Sequence, residues 1–246
     1  MMTGLFKRFA RPRLRGAGVD LVRYPGRPDP RYPPVLRNTW MGNLGIDLVL
    51  DVGANVGQYS SDIRSHGYGG QIISFEPLSS AFAVLAGLAR SDARWEVRRT
   101  AVGEKAGEAT LNIAGNSASS SLLPMMTSHL SAAPTSAYVG SEMVKVQTLD
   151  ALLLENIAPT EKVWLKMDCQ GYELPVLRGA TAVLPHVVAI ECEMSLIPLY
   201  QGEPLVEDVI REIAALGLRP AMFTEAFYDP ASGRSLQLNG IFLRDS

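Results

Sequence analysis

Asp51 and Glu76 stand at the ends of two short apolar runs, and the turn Gly53-Ala54-Asn55-Val56-Gly57 follows the first of them directly. Leu48 to Val52 has the composition of a buried strand, and Gln58 to His66 is compatible with a helix, so the glycines fall at a strand-to-helix turn. There a missing Cβ lets a ligand approach the backbone beside a helix N-terminus. Glu76 closes the next apolar run about 20 residues further on, where dinucleotide folds set an acid on ribose hydroxyls. The spacing suits a ligand that carries a ribose.

Two cofactor classes use such a turn, and charge separates them. A dinucleotide calls for G-x-G-x-x-G, which brings a helix N-terminus to a pyrophosphate. Here the loop reads Gly53-x-x-x-Gly57 and follows an acid, Asp51. S-adenosylmethionine (SAM) has no phosphate, and its sulfonium and ammonium are cationic. An acid at the end of the first strand is therefore favourable for SAM and unfavourable for a diphosphate. Asp51, Gly53, Asn55, Gly57 and Glu76 are the expected cofactor residues.

On the acceptor side, Asp168 ends a later apolar run, Val163 to Asp168, at the edge where open α/β sheets bind ligands. Its carboxylate could bind the SAM amino group, orient an acceptor or take a hydroxyl proton; it could equally cap the helix that follows. Glu191 and Glu193 are two apart on the next strand and share a face, with Cys192 opposite. An acid within an apolar run is costly unless paired or solvated, so Glu191 is either a site residue or the partner of a buried base such as Lys166. Transfer of a methyl group to oxygen needs an aligned acceptor and a base. Of the three histidines, His66 and His186 fall at element ends. His129 lies in a Ser-rich stretch, where it is a candidate base or an ordinary exposed histidine. The expected catalytic set is thus His129, Asp168 and Glu191. No compact ligand cluster calls for a metal, although Asp168 and Glu191 are the oxygen type that Mg²⁺ takes.

Three segments in order, Asp51-Val52-Gly53-Ala54-Asn55-Val56-Gly57-Gln58-Tyr59, Phe75-Glu76-Pro77, and Leu165-Lys166-Met167-Asp168-Cys169-Gln170-Gly171-Tyr172-Glu173 with Val176-Leu177-Arg178-Gly179-Ala180, resemble the FkbM-family methyltransferases. The resemblance extends from about Leu48 to the C-terminus. It implies a class I methyltransferase fold, SAM as donor with Tyr59 and Asp168 among its contacts, and a hydroxyl of a sugar, glycolipid or polyketide-type product as acceptor. Asn116, Ser119, Ser120 and Ser121 resemble the family's Asn- and Ser-rich segment and, with Gln170 and Glu193, are expected on the acceptor. Asn239 joins them in Leu238-Asn239-Gly240-Ile241-Phe242-Leu243. It stands where many members have an Asp, and an amide cannot act as a base.

The elements that must position these groups are legible from Leu44 onward as short apolar runs alternating with amphipathic segments. This is the pattern of a Rossmann-like, doubly wound and mostly parallel sheet. Seven strands are predicted: Asp47 to Val52, Gln71 to Glu76, Trp95 to Val102, Val163 to Asp168, Val187 to Glu193, Arg219 to Thr224 and Gly240 to Arg244, with helices after the first, second, fourth and fifth. Asn116 to Thr135, with Pro124 and Pro134, is expected as an irregular loop with a helical turn near Met125 to Leu130, in the place of a lid over the acceptor.

At 246 residues, 47% hydrophobic and 20% charged, the chain can bury one core. Residues 38–246 are expected to be the SAM-dependent domain and residues 1–37 a basic arm, with nine Lys or Arg against Asp20 and Asp29. The arm is expected either to touch anionic lipid or to be a solvated extension. A net charge of −2 provides no general attraction to nucleic acid. Cys169 and Cys192 read as free thiols, and without a signal-peptide core or a long apolar run the chain is expected to be soluble and cytoplasmic, with membrane association through the arm left open. Two other functions remain open: an NAD(P)-dependent oxidoreductase, against which the missing middle glycine counts, and a non-catalytic SAM-binding interaction protein.

Overall fold

The computed structural model describes residues 32–153, 158 and 160–245. Two compact units are distinguished, Met1–Arg37 and Asn38–Ser246. Most of the basic arm, and with it the expectation of a lipid contact, lies outside the described residues. Helix α1 (Pro33–Leu44) begins ahead of residue 38. Its prolines occupy the first turn, where a missing N–H costs nothing. Among the described residues no helix is long and apolar enough to cross a membrane.

The central strands are β1 (Leu48–Val52) and β7 (Val163–Met167), every residue of which is buried. They pair in parallel from Leu48↔Val163 to Val52↔Met167. Burial on both faces explains why each reads as an apolar run broken only by Asp51 or by Lys166, which face each other in the register. On one side of β1 lies β2 (Gln71–Phe75) and then β3 (Trp95–Arg98); beyond β7 come β8 (Val187–Ser195), β10 (Ser235–Arg244) and β9 (Leu218–Tyr228). The order β3-β2-β1-β7-β8-β10-β9 has β10 antiparallel to both of its neighbours. Each strand of this sheet overlaps one of the seven predicted, with β9 and β10 longer and β3 shorter than the predicted runs.

Helices cover both faces. Leu50, Leu165, Met167 and Ile190 form one core with Val209 and Ile213 of α7 (Val206–Ala215). Val49, Trp164 and Ile72 form the other with Met41 of α1, Ile63 of α2 (Gln58–Ser65) and Leu85 of α3 (Ser79–Ala89). At roughly 25 cal/mol per Å² of apolar surface, these layers supply most of the drive to fold.

A second sheet departs from the expectation. The run Trp95 to Val102 does not continue as one strand: it turns at Arg99 and Thr100, and β4 (Ala101–Val102) joins β6 (Tyr138–Gln147), which pairs antiparallel with β5 (Gly107–Ala114). The stretch expected as an irregular lid is ordered between β5 and β6. It holds a 3-10 turn at Ser117–Ser119, a bridge from Ser121 to Asn112, helix α4 (Thr127–Ala132) and a second turn at Pro134–Ser136. Helix α5 (Leu149–Leu153) follows β6, and α6 (Glu173–Arg178) follows β7.

Candidate cofactor and acceptor site

The chain winds from β1 toward β3 on one side and from β7 toward β9 on the other, so the order reverses between β1 and β7. Ligands of open α/β sheets bind outside the carboxyl ends of the strands at such a switch point. Gly53 N and Ala54 N donate to Phe75 O at 3.0 and 3.1 Å, tying the loop after β1 to the end of β2. Gly53 adopts φ 76°, and a Cβ there would lie 1.9 Å from Asp168 O. Glycine is required because the loop crosses the end of β7 at backbone contact.

Glu76 follows β2 and is 6% exposed. Asn55 N donates to its Oε2 and Leu78 N to its Oε1, each at 2.7 Å. Burial pushes its carboxyl up to about 7, against the lowering effect of these N–H groups and of the Lys166 charge.

An open cavity enclosing about 660 Å³, mouth included, lies over this edge. Gly53 and Asn55 line it from the loop after β1, Glu76 from the end of β2, Asp168 and Gln170 from the loop after β7, and Ala101, Val102, Leu111 and Leu122 form an apolar end. Among the described residues its only charged lining groups are Glu76 and Asp168, and neither Lys nor Arg reaches it. A cationic ligand with a ribose and an apolar base fits this lining, whereas a diphosphate would meet two carboxylates and no counter-charge.

Gln170 organises the acceptor side. Its backbone takes φ 52°. Its Nε2 donates to Asp168 Oδ1 at 2.8 Å and to Glu193 Oε2 at 2.7 Å, while its Oε1 accepts the Tyr200 hydroxyl at 2.7 Å. Glu193 also accepts Gln237 Nε2 at 3.0 Å. Burial, with the nearby Asp168 and Glu173 charges, holds the Glu193 carboxyl well above the usual range. Glu173 accepts the Cys169 N–H at 2.9 Å, and burial raises it to about 7.

Of the expected cofactor residues, Gly53, Asn55, Glu76 and Asp168 meet at the cavity. Gly57 shapes the turn behind it: at φ 89°, a Cβ would lie 3.0 Å from Leu85 and 3.2 Å from Trp95. Asp51 and Tyr59 are elsewhere. Successive strand residues face opposite ways, so Val52 lines the cavity while Asp51 turns to the other face, fully buried. There it accepts Ser60 Oγ at 2.8 Å and sits 3.2 Å from Lys166 Nζ. The Tyr59 ring lies 5.3 Å from Lys166 Nζ, and its hydroxyl donates to Glu191 Oε2 at 2.6 Å. Glu191 also accepts Trp164 Nε1 at 3.2 Å, which holds it off the cavity.

His129 is the largest departure on the acceptor side. It belongs to α4, is 3% exposed, and packs 5.2 Å from the Tyr200 ring and 5.3 Å from the Phe227 ring. Burial lowers its pKa, and it does not line the cavity. Its partners on β9 and the loop after β8 are distant in sequence, so spacing could not reveal them. Of the four segment residues expected on the acceptor, Asn116, Ser119, Ser120 and Ser121, the last two line the cavity. Asn116 instead caps the 3-10 turn, accepting Ser119 N at 3.0 Å, and Ser119 is buried 3.2 Å from Ser136 Oγ. Asn239 pairs in register with Glu193 on β8, off the cavity. Sequence reasoning missed Ser117, which lines the cavity and donates to Asn55 Oδ1 at 3.0 Å, and Tyr200, which donates to Gln170 from a stretch, Leu196 to Tyr200, whose apolar composition announces no such contact. Among the described residues no group of His, Cys, Asp and Glu could hold a metal ion.

No curated protein matches the sequence. Among solved structures, a protein described as a methyltransferase from Thermobifida fusca YX has TM-score 0.50 at 11% identity, over 88% of this chain and 80% of that one. The 1,6-didemethyltoxoflavin-N1-methyltransferase of Burkholderia thailandensis, with bound S-adenosylhomocysteine, has TM-score 0.47 at 12% identity over 87% and 78%. Magnesium protoporphyrin IX methyltransferase of Synechocystis PCC 6803, with bound SAM, has TM-score 0.46 at 10% identity over 97% of both chains. At such identities the likeness is one of fold, the class I Rossmann-like methyltransferase architecture. Residues 51–220 match the family described as the methyltransferase FkbM domain. With that match spanning the glycine loop, Glu76, Asp168 and the intervening hairpin, the chain belongs to the FkbM-domain methyltransferases.

Proposed function

We propose that this SAM-dependent methyltransferase methylates a hydroxyl oxygen of a sugar, glycolipid or related secondary metabolite. The observation that carries this reading is the cavity lining, with Glu76 and Asp168 as the only charged groups among its described residues and an apolar end built by the second sheet.

Glu76, held by the Asn55 and Leu78 N–H groups, is placed to accept ribose hydroxyls, and the turned backbone of Gly53 lets the cofactor lie against the loop. When bound, SAM supplies a methyl group on a sulfonium that a hydroxyl oxygen displaces, leaving a neutral thioether and a proton. Asp168 is the group assigned to take that proton onto its carboxylate. It lines the cavity and keeps 37% of its side chain exposed, while Gln170 holds one oxygen in place. Ser120, whose Oγ accepts Ala114 N at 3.1 Å, lines the cavity with a hydroxyl of the kind that holds a sugar, while Gln170, its amide taken by Asp168, Glu193 and Tyr200, fixes the wall beside it.

The test is a panel of glycolipid sugars, free sugars and hydroxylated aglycones incubated with isotopically labelled SAM, with Asp168→Asn as control. Label on an acceptor oxygen, lost in the variant, supports the reading. Label on nitrogen, or on no hydroxylated acceptor, overturns it.

A further inference from the structure

We infer that Lys166, which does not line the cavity, is the positioning residue that ties the cofactor loop to the acceptor strand and sets the charge on the cofactor side. The inference rests on the cofactor site proposed above.

The Lys166 ammonium lies 3.2 Å from Asp51 Oδ1, 3.3 Å from Gly53 O and 3.8 Å from Asp168 Oδ2. One cation thus touches the end of β1, the turned glycine and the acid at the end of β7. Its side chain is only 10% exposed, and that of Asp51 is wholly buried. Among the described residues no other donor bonds Asp51 Oδ1, so the Lys166 ammonium is what compensates that oxygen. Burial works to discharge Lys166, but Asp51 and then Asp168 override it and hold the amine protonated.

A buried charge left without its partner is strongly unfavourable. Without Lys166, the loop would relax to bring solvent to Asp51, and Gly53 would leave its place against Asp168. The same cation acts on Glu76 at a distance: Lys166 lowers the Glu76 carboxyl and Asp51 raises it. Among the described residues, the charged and titratable groups around this cluster are Asp51 on β1, Asp168 and Cys169 after β7, Glu76 after β2, Glu193 on β8, and Tyr59 on α2 with the Glu191 it bonds on β8. Lys166 is the only cation among them.

Calorimetric titration with S-adenosylhomocysteine from pH 5.5 to pH 8.5 tests this on the full chain, and no acceptor is needed. Wild type should bind more tightly as pH rises through about 7, where Glu76 ionises. Lys166→Met should weaken binding by roughly tenfold or more and move the midpoint to higher pH. Asp51→Asn should move it to lower pH, and the double variant should bind more tightly than Lys166→Met alone. A merely structural loosening would weaken both single variants without shifting their midpoints in opposite directions. Should Lys166→Met not fold, the Asp51→Asn shift decides the matter. Unchanged midpoints in variants that fold overturn the inference; absence of binding by wild type overturns the cofactor assignment beneath it.

Discussion

Gly53 and Asp168 meet backbone to backbone: the position of a Gly53 Cβ is 1.9 Å from the Asp168 carbonyl oxygen, at a backbone φ of 76°. The glycine loop after β1 and Asp168 after β7 are thereby held in one relation. Gly53→Ala must move one strand end from the other and also place a side chain in the left-handed region, at about 1–2 kcal/mol for the latter alone. The melting temperature should fall by at least roughly 2–4 °C, with loss of S-adenosylhomocysteine binding. Wild-type melting and binding would refute this close contact.

Glu76 is the expected ribose anchor, and its loss removes hydrogen bonds to a charged acceptor. Such bonds contribute about 1.5–3 kcal/mol. Glu76→Ala should therefore weaken S-adenosylhomocysteine binding by roughly 10- to 100-fold, with Glu76→Gln between the two. Equal affinities in titrations of all three proteins would remove Glu76 from the site.

Stability should depend on pH through the buried carboxyls. Glu76 and Glu173 are both raised from 4.5 to about 7 by burial. A group raised in the folded state stabilises it fully below the unfolded pKa, and that contribution is lost as pH rises through the folded value. The ligand-free protein should thus be more stable at pH 4.5 than at pH 7.5 with respect to these groups. Glu173→Gln keeps an acceptor for the Cys169 N–H and should flatten the profile by about 1–3 kcal/mol across that window. Parallel profiles for wild type and variant in urea titrations would rule this out.

His129 and Asp168 should separate in kinetics. Asp168→Asn is expected to bind S-adenosylhomocysteine within a few-fold of wild type and to lose roughly 10²- to 10⁴-fold in turnover of the identified acceptor. His129→Phe, which keeps a ring between Tyr200 and Phe227, is expected to retain turnover. A variant pair with the reverse pattern would make the histidine the base.

The core of the fold was legible because the runs at Leu48–Val52 and Val163–Met167, apolar but for Asp51 and Lys166, are buried on both faces, and a short run bounded by glycine or acid leaves little choice of element. The β5–β6 hairpin was not legible. The apolar residues of β6 lie on both of its faces, Val139 and Met143 exposed and Val144 and Val146 buried, so no single alternating face marks the strand. The glycine turn and Glu76 could be read from local spacing, because strand, turn, helix and strand-end acid follow one another in sequence. Asp51 was misassigned although the cause is local: with Val52 on the cavity, the residue before it turns to the other face of β1, where Lys166 pairs with it. His129 was likewise misplaced: nothing in Thr127–Ala132 announces the Tyr200 and Phe227 rings that bury it.

The most direct test is calorimetric titration of the purified protein with S-adenosylhomocysteine, with NAD⁺ and Glu76→Ala as comparisons. Binding of S-adenosylhomocysteine that weakens in Glu76→Ala, with no NAD⁺ binding, is the expected result. Binding of NAD⁺ with none of S-adenosylhomocysteine would contradict the assignment of the cavity to a cationic donor.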